Sequence, residues 1–235
     1  ARKALSAFFL AGLFLAFLGA ILPAWGYHLT SQYDIIGHYF LYMSLGLLTG
    51  ARVARELLPR KGIRFAILLA CGVCCGALLF LALVSPPAAP WWRVFGLFVL
   101  GSGAGLLNTA VFHAITSAYR DDPAATINLA GILFVLGCLV MTLLVAGTFY
   151  VYTTPSILFL TAMIPFFFTA LYAHGPFPAT PVEDHLPIRQ VLSDFRNPAA
   201  ILMALLLFFQ FGNEWAIAGW LPLFLIQRLG VNPAS

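Results

Sequence analysis

Apolar residues run through this chain in seven long stretches, and each is long enough to cross a lipid bilayer. A membrane-spanning helix needs about 20 mostly apolar residues to cover about 30 Å of hydrocarbon. The stretches lie at residues 4–27, 35–54, 64–84, 92–119, 126–150, 155–174 and 199–227. The pattern predicts seven transmembrane helices and an all-α fold, a polytopic membrane helix bundle.

The segments between the stretches are short and rich in proline and polar residues, with one exception. The sixth, "HGPFPATPVEDHLPIRQVLSDFRNP", is much longer than the others. Its residues 188–195 place apolar side chains at helical spacing, which fits either a short amphipathic helix on the membrane surface or an ordinary polar linker. No segment outside the stretches is long enough to fold as a separate domain.

Composition supports a bilayer rather than water as the solvent of this chain. Hydrophobic residues make up 62% of the 235 residues and charged residues only 9%. A water-soluble domain with so few charges would expose large apolar patches. The four cysteines all lie inside apolar stretches without suitable partner ligands, so we expect no disulfide framework, no metal site and no cofactor.

The basic residues predict the orientation of the chain. If the N-terminus is cytoplasmic, ten of the twelve basic residues lie on the inner side and only Arg93 and Arg228 lie outside. This positive-inside bias predicts a multi-pass protein of the plasma (inner) membrane with a cytoplasmic N-terminus. It also explains the net charge of +4 without a nucleic-acid partner.

Three polar side chains stand near the middle of the last apolar stretch: Gln210, Asn213 and Glu214. A charge at that depth costs about 2.5–3.5 kcal/mol on insertion scales. We therefore predict that the three side chains face a wet passage, where Glu214 binds a solute or carries a proton and the two amides hydrogen-bond to solute. The alternative is a protonated Glu214 that only ties two helices together.

Three further side chains belong to the predicted site. Asn108 and His113 lie in the fourth stretch, and Trp220 lies six residues beyond Glu214, close to the same helix face. We expect Asn108 and Trp220 to contact solute. Glu214 and His113 are the candidates for proton coupling, because both side chains can gain and lose a proton.

Small residues four apart predict where helices pack closely. Such pairs let two backbones approach in a bilayer, where apolar side chains gain little by leaving lipid. The pairs are Gly46 and Gly50, Gly72 and Gly76, and Gly101 and Gly105. We also expect Pro165 and Pro222 to kink or interrupt the sixth and seventh helices.

The last stretch contains "FGNEWAIAGWLPLFL", which resembles a segment of the fucose- and glucose-permease-like branch of the major facilitator superfamily. "FLGAILPAW" and "GAGLLNTAV" are similar to the same branch. The resemblance implies a six-helix bundle at 1–174, a cytoplasmic linker at 175–198 and the first helix of a second bundle at 199–235. It also implies that the rest of the second bundle lies elsewhere, in the same chain or a separate one.

The resemblance further implies a function. A member of this superfamily would be a secondary active transporter and not an enzyme, moving a small polar organic solute, sugar-like by resemblance, by alternating access and proton symport. The basic segment after "GLLTGARVAR" is similar to the gating loop of the superfamily, although Ala54 stands where that motif has an aspartate. The residues of this loop are Arg52, Arg55, Arg60 and Arg64.

Two other classes of membrane protein remain as alternatives. Seven spans fit a seven-helix receptor, but such receptors place the N-terminus outside, opposite to the charge bias. A retinal protein needs a lysine in its last span, and the lysines here are Lys3 and Lys61. An intramembrane enzyme is disfavoured because the stretches contain no HExxH, no GxSxG and no paired aspartates.

Overall fold

The computed structural model of the chain is helical throughout the part that it describes. The described residues are 2–27, 29, 32–115, 122–174 and 197–230. They form six helices: α1 (Arg2–Ala24), α2 (Tyr33–Leu83), α3 (Pro90–Ala114), α4 (Pro123–Thr148), α5 (Thr154–Ala173) and α6 (Pro198–Leu229). Five helices are long and apolar enough to cross a membrane, and α6 is a sixth if its two bent parts count as one span. The predicted all-α class and membrane character are confirmed. The predicted amphipathic segment at 188–195 lies outside the described residues.

α2 holds the second and third predicted spans in one helical element that is broken at Gly62. The backbone of Gly62 has φ +80° and ψ 167°, a conformation that glycine adopts without the strain a side chain would cause. The sequence analysis placed a non-helical basic loop at 54–64, and this expectation was wrong. Leucine, arginine and lysine are good helix formers, so the helix continues on both sides of Gly62 and runs through Pro59.

The two arms of α2, residues 33–61 and 63–83, run in opposite directions, as their contacts with α3 show. Later residues of the first arm contact later residues of α3, whereas later residues of the second arm contact earlier residues of α3. The contacts are Met43 with Gly101, Leu47 with Gly105, Cys74 with Gly103 and Leu81 with Gly96. α2 is therefore a helical hairpin, and α3 packs against both of its arms.

Glycines let the first arm of α2 and α3 touch through their backbones. A Cβ atom built at any of four glycines would overlap a backbone carbonyl oxygen of the facing helix, well inside the 3.0 Å that real Cβ atoms keep. The four are Gly46, Gly50, Gly101 and Gly105, and the carbonyl oxygens belong to Phe98, Ser102, Met43 and Leu47. The close packing predicted from these two pairs is confirmed.

The same geometry recurs between α1 and α4. A Cβ at Gly12 would overlap the carbonyl oxygen of Phe134, and one at Gly137 would overlap that of Phe9. The thiol of Cys138 also donates a hydrogen bond to the carbonyl oxygen of Gly12, with an S···O distance of 3.2 Å. This crossing was not predicted, because neither glycine has a second glycine four residues away.

The third predicted glycine pair does not bring two helices together. Gly72 and Gly76 are exposed on the second arm of α2, and a Cβ at either would meet nothing within 4 Å. Gly76 instead lines an open apolar groove of about 390 Å³ together with Phe80 and Phe95. The prediction of close packing at Gly72 and Gly76 was wrong, because the spacing of small residues does not reveal which side of the helix faces a neighbour.

The burial of their side chains shows that α1 is a central helix and α4 a peripheral one. In α1, Leu10, Phe14 and Phe17 are fully buried, and the helix contacts α3, α4, α5 and α6. In α4, Ile132 and Val135 are 64% and 63% exposed. Apolar surface of this kind is stable only where lipid is the solvent, so α4 presents one face to the bilayer.

We predict that Gly101→Ala lowers the free energy of unfolding by about 1–3 kcal/mol, because the added methyl group must push two backbones apart. Thermal unfolding of the detergent-purified protein measures this loss. Gly76→Ala is the matched control, since open space surrounds Gly76 and alanine favours the helix. Equal losses of stability in the two variants would contradict the packing described at Gly101.

Candidate functional site

The predicted polar patch lies at a bend in the middle of α6. The helix divides into Pro198–Glu214 and Gly219–Leu229, which meet at 41°. Pro222 lacks an amide hydrogen, and its ring crowds the carbonyl group four residues earlier, which weakens the helix at this bend. The bend agrees with the interruption predicted from Pro222, whereas α5 continues through Pro165 as one helix.

Two of the predicted site residues contact each other at this bend. Gln210 donates a hydrogen bond from Nε2 to Oε1 of Glu214 at 2.8 Å, as expected for residues one turn apart on a helix. Both side chains are exposed, and so is that of Asn213. Among the described residues, Glu214 forms no salt bridge. The carboxylate is therefore held by a neutral amide and keeps acceptor positions for another donor.

Asn108 and His113 lie on α3, away from this pair. Both side chains are partly buried, and His113 lies in the last turn of the helix. Their separation of five residues places them on different faces, as predicted from the sequence. No described hydrogen bond joins Asn108 to α6, so the assignment of these two residues to the site stays a prediction.

Trp220 packs against the first arm of α2. Its ring stacks on Phe40, with the centroids 5.8 Å apart and the planes at 24°, and its centroid lies 6.1 Å from that of Tyr33. A Cβ at Gly219 would overlap the ring of Phe40, so this ring lies directly against the backbone of α6. Trp220 is thus a helix contact, and the prediction that it also contacts solute remains untested.

Gln227 ties the same part of α6 to two other segments. The hydroxyl of Tyr33 donates to its Oε1 at 2.9 Å, and its Nε2 donates to the backbone carbonyl oxygen of Tyr27 at 3.2 Å. We refer to Tyr33, Phe40, Gly219, Trp220 and Gln227 together as the clasp. The clasp fastens α6 to the end of the bundle where α1 ends and α2 begins.

The other part of α6 has no such attachment. The described hydrogen bonds and ring contacts between α6 and the other helices all involve Trp220 or Gln227. In Pro198–Glu214, Leu202 and Phe208 are 67% and 70% exposed. Among the described side chains, those that attach α6 to its neighbours therefore lie in Gly219–Leu229, and those of Pro198–Glu214 are mostly exposed.

The arginines of the predicted gating loop lie on α2 on both sides of Gly62. Arg52 forms an ion pair with Glu56, one turn along the same helix, at 3.3 Å. Arg64 donates from Nη2 to the backbone carbonyl oxygen of Ala173 at the end of α5, where a cation also interacts favourably with the helix dipole. Arg55 and Arg60 are exposed. One arginine thus links two helices, and a role for all four in gating stays a prediction.

A buried cation was missed by the sequence analysis, which counted Arg93 only as a charge on the outer side. Arg93 lies near the start of α3 and is 4% exposed. It donates from Nε to the Tyr39 hydroxyl at 2.8 Å, from Nη2 to the Tyr27 hydroxyl at 3.2 Å, and from Nη1 to the Ala88 carbonyl oxygen at 3.1 Å. Its guanidinium carbon lies 5.7 Å from the centroid of the Trp25 ring. We refer to Trp25, Tyr27, Tyr39 and Arg93 as the Arg93 cluster.

No family model, no curated protein and no solved structure matches the chain.

We predict that Trp220→Ala lowers the free energy of unfolding by about 1–2 kcal/mol, because a half-buried stacked indole is lost from the clasp. Thermal unfolding in detergent is the measurement. Trp92→Ala is the matched control, since Trp92 is 57% exposed and has an edge contact with Phe80. A loss as large in Trp92→Ala as in Trp220→Ala would show that the clasp does not stabilise the bundle.

Proposed function

We propose that this protein is a secondary active transporter of the major facilitator type, which moves a small polar organic solute across the membrane by alternating access. The observation that carries the proposal is the hydrogen-bonded pair of Gln210 and Glu214, exposed at the centre of an otherwise apolar helix. A carboxylate at that depth is costly and usually faces a water-filled passage used by an ion or a solute.

The attachment of α6 supports the same proposal. A helix whose described side-chain contacts lie near one end can swing about that end, and the 41° bend beside Glu214 is a point at which it can flex. With the N-terminus in the cytoplasm, as the charge bias predicts, the clasp lies on the outer side of the plasma membrane. The polar pair is then reached from the inner side while the clasp is closed.

In this proposal the residues of the site have separate tasks. Gln210 and Asn213 hydrogen-bond to polar groups of the solute, such as the hydroxyl groups of a sugar, and Asn108 does so from α3. Glu214 accepts a proton before the passage closes, which removes the cost of carrying a charge through hydrocarbon, and His113 is the second candidate for proton transfer.

We predict that Glu214→Gln abolishes the dependence of transport on a pH gradient, because a glutamine cannot take up or release the coupled proton. A thermal-shift screen of sugars and organic acids first identifies a solute, and uptake of that solute into proteoliposomes then measures transport. Glu56→Gln is the matched control, since Glu56 is an exposed carboxylate on α2 that pairs with Arg52. Full pH dependence in Glu214→Gln would refute coupling through Glu214.

A further inference from the structure

The Arg93 cluster contains more hydrogen-bond donors than acceptors. An arginine side chain has five N–H groups, and three of those of Arg93 donate to Tyr39, Tyr27 and Ala88. The other two have no acceptor among the described residues. The indole N–H of Trp25, a residue that is only 5% exposed, also has no acceptor in the described part of the chain. Buried donors of this kind are rare in folded proteins.

The two tyrosine hydroxyls do not remove this imbalance. Their oxygens lie 2.7 Å apart, and either can be the donor. Only one of the two hydroxyl protons is used in that bond, and both oxygens already accept from Arg93. The second hydroxyl proton therefore adds another donor without an acceptor in the described part of the chain.

The cluster also carries a positive charge that nothing described neutralises. The described salt bridges include none to Arg93, and removing an unpaired charge from water costs several kcal/mol. The guanidinium lies in the first turns of α3, where the helix dipole is itself positive. The rings of Trp25 and Tyr39 offset part of this cost, because their faces attract cations.

We propose that the Arg93 cluster is a binding site for a small anion. A single anion would pair with the guanidinium and accept hydrogen bonds from the indole N–H of Trp25 and from one tyrosine hydroxyl. It would also interact favourably with the start of α3. Two sources have this chemistry: a free inorganic anion such as chloride, and a carboxylate group on the transported solute. The second source rests on the proposed transport function, and the first does not.

The clasp is connected to this site through Tyr27. Gln227 of α6 donates to the backbone carbonyl oxygen of Tyr27, whose hydroxyl belongs to the cluster. While the clasp is closed, the side chains of Trp25, Tyr39 and Arg93 are at least 95% buried. Gln227 therefore holds the backbone of one residue of the site to α6.

Titration of the purified protein with sodium chloride and with sodium acetate tests the proposal, with the melting temperature as the readout. Sodium iodide, which quenches tryptophan fluorescence on contact, gives a second readout for Trp25, taken as the difference between the wild type and Trp25→Phe because the exposed Trp91 and Trp92 are quenched in both. We expect saturable stabilisation by at least one anion, and quenching by iodide that this anion relieves. Arg93→Gln weakens the apparent affinity at least tenfold. Arg228→Gln, which changes an exposed arginine in the last turn of α6, leaves it unchanged.

Trp25→Phe keeps an aromatic face against Arg93 and removes only the N–H donor, so it tests the site even if Arg93→Gln fails to fold. We expect a loss of affinity of about ten- to a hundredfold, as for one hydrogen bond to a charged acceptor. Equal responses to anions in the wild type, Arg93→Gln and Trp25→Phe would overturn the proposal. So would the absence of any saturable response in the wild type.

The same titrations identify the source of the anion. Saturation by chloride with no effect of acetate assigns the site to an inorganic anion. Competition between chloride and acetate, extended to lactate and gluconate, assigns it to the carboxylate of a solute. Uptake into proteoliposomes is measured separately. If anions bind but no solute is transported, the site stands and the proposed transport function falls.

Discussion

Helices in a bilayer gain almost nothing by exchanging lipid contacts for contacts with one another's apolar side chains, so something else must hold them together. In this protein the contacts between backbones do so. Glycines bring α1 against α4 and the first arm of α2 against α3 so closely that no side chain fits between the helices. These helix crossings position the side chains of the Arg93 cluster and of the clasp. α3 carries Arg93, and the arm of α2 beside it carries Tyr33 and Phe40, which contact α6.

Lipid also makes it energetically costly to place a polar group inside the membrane. The chain places two of its charged groups in contrasting surroundings. Arg93 is enclosed among aromatic rings and hydroxyls near the end of the bundle, whereas Glu214 stands exposed beside a bend in α6. Gln227 connects the two regions, because it belongs to the helix of Glu214 and hydrogen-bonds to the backbone of Tyr27. A movement of α6 therefore changes the surroundings of both charges at once.

The seven apolar stretches of the sequence predicted the helical parts of the described chain, because a membrane span needs a length and polarity that few other segments have, but not that the second and third would join in α2. The contact of Gln210 with Glu214 follows from their spacing of one turn. The reversal at Gly62 was not predictable, since its basic, leucine-rich surroundings also suit a helix. The burial of Arg93 was missed because its partners Tyr27 and Tyr39 come from other segments, and long-range contacts leave no periodic signal in a sequence.

Transport past Glu214 requires that water reaches position 214 while lipid covers the outside of the bundle. Labelling of Glu214→Cys by a membrane-impermeant maleimide, with the four native cysteines replaced by alanine, tests this most directly, because a thiol reacts only where water lets it ionise. We expect position 214 to react in inside-out vesicles, at a rate comparable with Arg60→Cys, while Val135→Cys on α4 stays unlabelled. If position 214 were as unreactive as position 135 from either side of the membrane, its carboxylate would not face a passage, and the account would be wrong.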